Sequence, residues 1–183
     1  MPRKTFPSMG VPVVEDWNTY AANPALQYIT QVNINANVTN VNSVFTAYTY
    51  DVYHLEWSNM FCAAGTTYAL ISLTGGAGTA HYDGMRVTEA SGAVTLNGAN
   101  GTGYWLGVIC GSTSANGTHA SMEMFYPASS IHTLYTSRTT FQLGGGFMGG
   151  MNTNNVGYTG FSITGLFGAV IQGTLRIYGY RKV

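Results

Sequence analysis

The sequence predicts an all-β domain, a jelly-roll-type β-sandwich of short antiparallel strands entered through an extended N-terminal arm. Three observations carry this. Apolar residues alternate with polar ones along many short stretches. Gly- and Asn-rich breaks separate those stretches roughly every ten residues. No segment sustains a helical apolar period between capping residues, and the strong helix formers Lys, Glu and Leu are scarce. A chain of 183 residues suits one domain with a single core. The absence of an internal repeat of about 20 to 50 residues argues against a propeller or solenoid.

Residues 1–20 read as the arm and 21–183 as the sandwich. Pro2, Pro7 and Pro12 are three of the five prolines; they fix φ and remove ladder donors at the very start. Trp17 and Tyr20, near the end of the arm, are candidate anchors against the body or a neighbouring copy. The first strand is the clearest. From Leu26 to Val38 the even positions are Leu, Tyr, Thr, Val, Ile, Ala and Val, and the odd ones are Gln or Asn with Ile29 as the exception.

Further strands are expected in SVFTAYTY, VYHLEW, TYALISL, TAHYDGMRV, YWLGVIC, ASMEMFY, TTFQL and TGFSI, giving roughly ten in all. Asn97-Gly98, Asn100-Gly101 and Asn116-Gly117 read as turns, because both residue types tolerate positive φ. The run QLGGGFMGGMNTNNVGYTG is expected to be a mobile loop, or a segment pinned at a crowded contact between copies where only Gly lets backbones approach. The closing GTLRIYGY alternates cleanly: Leu175, Ile177 and Gly179 on one side, Thr174, Arg176, Tyr178 and Tyr180 on the other.

Only 8% of residues are charged, against about 25% in ordinary soluble domains. Arg3, Lys4, Arg181 and Lys182 supply four of the seven basic side chains, which leaves three against seven acids in residues 5–180. Nucleic-acid binding needs clustered Lys and Arg, and the body has no such cluster. A chain so poor in charge and so rich in aromatics is weakly protected against association, so a homo-oligomer is expected. No run of eighteen apolar residues suggests a membrane span, and Pro7 and Pro12 interrupt any signal-peptide core, so synthesis in the cytoplasm is expected.

The chemistry-bearing patterns are weak. Cys62 and Cys110 are far apart and read as buried thiols rather than a disulfide or zinc pair. Gly144 to Gly149 matches G-x-G-x-x-G by letter, but no helix pattern follows to take a pyrophosphate, so no nucleotide cofactor is expected. His81 and Asp83 could share a face as metal ligands, yet nothing fixes a third, and no metal is expected. Glu56 and Glu123, lone acids in strand patterns, could form a glycosidase pair; solvent-facing positions explain them better. No catalytic residue is assigned, and the chain is read as a non-enzyme. Tyr82, Tyr104, Trp105, Tyr178 and Tyr180 are candidate glycan-facing aromatics, since their flat faces and polar edges suit sugars as well as protein contacts.

The segments YHLEWSNM, TTYALISLTGGAGTAHYDGMRV, MEMFYPASS and TGFSITGLFGAVIQGTLRIYGYRKV together resemble small virion proteins and tail-fibre head domains of tailed bacteriophages. The closing Gly-Thr-aliphatic-Arg-aliphatic-Tyr-Gly, here Gly173 to Gly179, is the most specific part. The resemblance covers about residues 50–183. It implies a jelly-roll sandwich, usually trimeric, serving in the virion as a tail fibre, collar spike or capsid appendage, with the arm docking to other virion proteins. This chain shows no coiled-coil heptads or shaft repeat ahead of the sandwich, which fits a stand-alone knob or decoration protein. The second reading is a module that binds host surface glycans; a polysaccharide depolymerase is the least supported.

Overall fold

The computed structural model describes residues 26–46, 49–76, 82–90, 93–114, 117–141 and 144–181, which contain twelve strands and no α-helix. The arm, with Trp17 and Tyr20, lies outside the described residues, as does His81. One sheet has eight strands, in the order β1 (Leu26–Ala36), β12 (Ile171–Arg181), β3 (Tyr50–Phe61), β8 (Thr118–Phe125), β9 (Thr133–Phe141), β10 (Gly144–Asn152), β5 (Tyr82–Ala90) and β6 (Ala93–Thr102). The other has four, in the order β2 (Val38–Val41), β11 (Gly160–Gly165), β4 (Thr67–Thr74) and β7 (Trp105–Cys110). All neighbouring strands are antiparallel, as a β-sandwich requires.

The closing strand sits second in the large sheet, paired with β1 on one side and β3 on the other. Leu175 and Ile177 are fully buried while Arg176 is exposed, as the alternation predicts. Each buried aliphatic side chain contributes about 1.5–3 kcal/mol by area, and two ladders hold the backbone. β12 is therefore among the best-anchored strands described.

Ile29, the exception in β1, marks a bulge. The register against β12 shifts between Tyr28 and Thr30. The extra residue flips the parity, so Tyr28 points out, 59% exposed, while Ile29 packs against the core.

Four sequence expectations need correction. Ser43 to Thr46 is not strand; Ser43 has φ 55, and β3 starts only at Tyr50. Asn97-Gly98 and Asn100-Gly101 are not turns but lie within β6. The glycine run is not a loop: Gly144–Asn152 is an interior strand between β9 and β5. The crowding that selects glycine is also within the chain. A Cβ on Gly150 would collide with the Asp83 carbonyl oxygen and come within 2.9 Å of the Tyr135 ring.

Inner-face residues of both sheets join in one core, among them Leu55, Trp57, Met122, Ile177, Ile71, Phe161 and Ile163. Phe45 packs edge-on to Tyr53, with ring centres 4.8 Å apart. Cys62 and Cys110 are both buried and free.

The small sheet ends at β7, whose far edge would present bare carbonyls. The large sheet curls over that edge and caps it with side chains. Tyr135 Oη donates to Leu106 O at 3.3 Å and Ser137 Oγ to Gly107 O at 2.7 Å. Trp105 is clasped between Tyr82 (ring centres 5.0 Å) and Tyr135 (4.5 Å), and its Nε1 donates to Met151 O at 3.3 Å. Three strands of the large sheet thus grip one tryptophan of the small one.

Candidate functional site

Once strands β9, β10, β5 and β6 curl inward, no described element covers their outer face. Register makes that face readable as rows crossing the large sheet. One row runs Gln31, Arg176, Glu56, Ser121, Arg138, Phe147, Val87 and Leu96. The next runs Tyr28, Tyr178, His54, Glu123, Thr136, Gly149, Met85 and Gly98. Both change character at the same place. From β1 to β9 they are polar and charged, and from β10 to β6 they are apolar.

The polar half brings together Glu56, Glu123, Arg138 and Arg176. His54 stands between two carboxylates, with Nε2 3.8 Å from Glu56 and Nδ1 3.9 Å from Glu123. Tyr178 Oη donates to Glu56 Oε2 at 3.3 Å, and Arg176 Nε to Gln31 Oε1 at 3.2 Å. Tyr28 packs edge-on to Tyr178, with ring centres 5.7 Å apart. Two adjoining depressions of 590 and 260 Å³ lie here; Ser121 and Arg138 line both. Glu56 and Glu123, unlinked in sequence, thus meet through His54. Among the described residues no three His, Cys, Asp or Glu side chains converge as metal ligands do.

The apolar half exposes Met85 (53%), Leu96 (67%) and Phe147 (43%) in these rows; the flanking rows add Val94 (71%) and, on neighbouring β9, Leu134 (43%), together with register positions of the acids Glu89 and Asp83. Isolated exposed aliphatics are ordinary, but five on one continuous sheet face are a patch.

Of the aromatics expected to face a glycan, Tyr178 and Tyr180 lie on this outer face, partly exposed. Tyr82 and Trp105 do not: they are 1% and 2% exposed and belong to the core. The signal was present in WLGVIC, a continuous apolar run that reads as a strand covered on both sides. Tyr104, just ahead of β7, lines a separate pocket with Arg86. His54, Arg138, Arg176 and Tyr28 were missed, because only cross-strand register brings them together.

No protein-family model, curated protein or solved structure matches the chain. Among the described residues no helix is long and apolar enough to cross a membrane.

Burial of the core phenols and thiol has a pH signature. Burial pushes Tyr82 up to about 12 and Cys110 up to about 12, the latter with a further push from neighbouring Cys62. Tyr135 and Tyr53 are raised by burial as well. These groups are neutral when folded and ionise more readily when unfolded. Their stabilisation is complete below about pH 9 and is lost as pH rises toward about 12. Urea midpoints measured from pH 7 to 11.5 should stay flat to about pH 9 and then fall steadily; a flat profile through pH 11 would contradict the burial.

Proposed function

We propose that this chain is a non-enzymatic structural protein of a tailed-bacteriophage particle, a tail fibre, collar spike or capsid appendage, that works by self-association. The observation carrying the proposal is the uncovered apolar half of the large sheet. Strand order supports the jelly-roll reading. The eight strands β1-β12-β3-β8 and β2-β11-β4-β7 stack four on four, with the β5–β6 and β9–β10 pairs added to one layer. The virion assignment rests on the sequence resemblance, and it places the protein in the particle after synthesis in the host cytoplasm, with the arm docking to other virion proteins.

The partner at the apolar half is a second copy of the chain, with a trimer as the expected assembly. Three strands at about 4.8 Å spacing and seven residues at about 3.4 Å rise give roughly 340 Å² in plan. A stable interface buries about 800 Å² per partner. The contact must therefore take in part of the polar half, whose Glu56, Glu123, Arg138 and Arg176 offer both signs of charge. Light scattering at about 10–100 µM should give an oligomer, and Phe147→Lys with Leu96→Lys should shift it to monomer while leaving the fold intact. A monomeric wild type, or an unaffected double variant, would overturn the reading.

The polar half favours a second reading, recognition of host surface glycan. Tyr28 and Tyr178 offer aromatic faces beside Glu56, His54 and Arg176, the mix of flat apolar surface and hydrogen-bonding groups that sugars use. On glycan arrays, binding lost on Tyr178→Ala and retained on Phe147→Lys would support it; silence on every host glycan would leave assembly as the sole role.

A further inference from the structure

The pocket between the β5–β6 ribbon and the start of β7 has a volume of 210 Å³ and borders the apolar half of the outer face at Met85 and Gly98. Its walls include Tyr104, Trp105, Leu106 and Tyr135, with Asn97 and Arg86 as polar members. Among the described residues Arg86 is the sole charged side chain lining it.

Arg86 is also unusual in its own right. Its guanidinium carbon sits 4.8 Å from the centre of the Tyr68 ring. Among the described residues its buried Nε has no hydrogen-bond partner and Arg86 makes no ion pair. A guanidinium carries five N–H donors, cannot be deprotonated, and seeks a planar anion. With no carboxylate paired to it among the described residues, the guanidinium keeps donors to offer an anion that enters the pocket. We propose that this pocket binds a small organic acid, with the carboxylate on Arg86 and an aromatic or short aliphatic body between Tyr104, Leu106 and Tyr135.

Three features set the ligand class. The volume lies below the roughly 300 Å³ at which pockets begin to hold drug-sized ligands, so one ring or a short chain fits. The aromatic walls favour an apolar body over inorganic phosphate. Asn97 adds a side-chain amide able to donate to the second carboxylate oxygen. Tyr135 Oη is engaged with Leu106 O, so it forms wall and not recognition.

Titration of the full chain with sodium benzoate, benzyl alcohol and inorganic phosphate, followed by calorimetry and by Trp fluorescence because Trp105 lines the pocket, tests this. Benzoate should bind about tenfold or more tighter than either control. Arg86→Met should remove that preference, whereas Arg86→Lys, which keeps the charge and serves as the check on folding, should retain binding within about tenfold. Equal binding of benzoate and benzyl alcohol, phosphate as tight as benzoate, full affinity in Arg86→Met, or no benzoate binding at all would each overturn the assignment. None of these results bears on self-association, which is read from the oligomer's mass.

Discussion

The architecture turns on how the open edge of β7 is covered. A four-stranded sheet stacked on a larger one leaves its last strand with carbonyls that no neighbouring strand pairs. Extending the sheet with another strand is one remedy. This chain uses side chains instead: Tyr135 and Ser137 donate to consecutive carbonyls of β7, and Trp105 is held between two tyrosines with its indole N–H on β10. The wedge is both apolar burial and hydrogen-bond completion.

Curling the large sheet around that wedge has consequences on both of its faces. Inside, β5, β9 and β10 become a third wall of the core, which is why glycines fall in β10: Gly150 has room for no side chain between β5 and Tyr135. Outside, the same strands present a face that nothing among the described residues covers. The apolar half of that face and its abrupt change to a charged half are thus products of one packing decision. The proposed association between copies uses the exposed half, and the small pocket beside Arg86 lies where the curl meets the start of β7.

Much of this was legible in the sequence wherever a signal is local. The alternation in β1 and in the closing strand located both, and even the misfit Ile29 proved to be the bulge that turns Tyr28 outward. The buried thiols also read correctly. Parity within a strand, by contrast, does not say which side is covered; Tyr82 and Trp105 looked like surface aromatics until the curl enclosed them. The glycine run misled because glycine is depleted in strands; β10 uses it for close approach, which only its neighbours reveal. The His54–Glu56–Glu123 and Arg138–Arg176 grouping spans four strands far apart in sequence, so no spacing rule could have assembled it. Trp17 and Tyr20 fall outside the described residues and gain no support from the fold.

The central claim is that Trp105 fastens the β9–β10–β5–β6 extension to the sandwich. Amide hydrogen exchange on Trp105→Leu tests it most directly. Losing the clasp should weaken closure by about 2–3 kcal/mol, so amides of β5, β6 and β10 should exchange roughly 100-fold faster while those of β12 and β3 stay close to wild type. Uniform acceleration across both sheets, or unchanged protection in β5 and β10, would show that the extension is held by something other than the tryptophan.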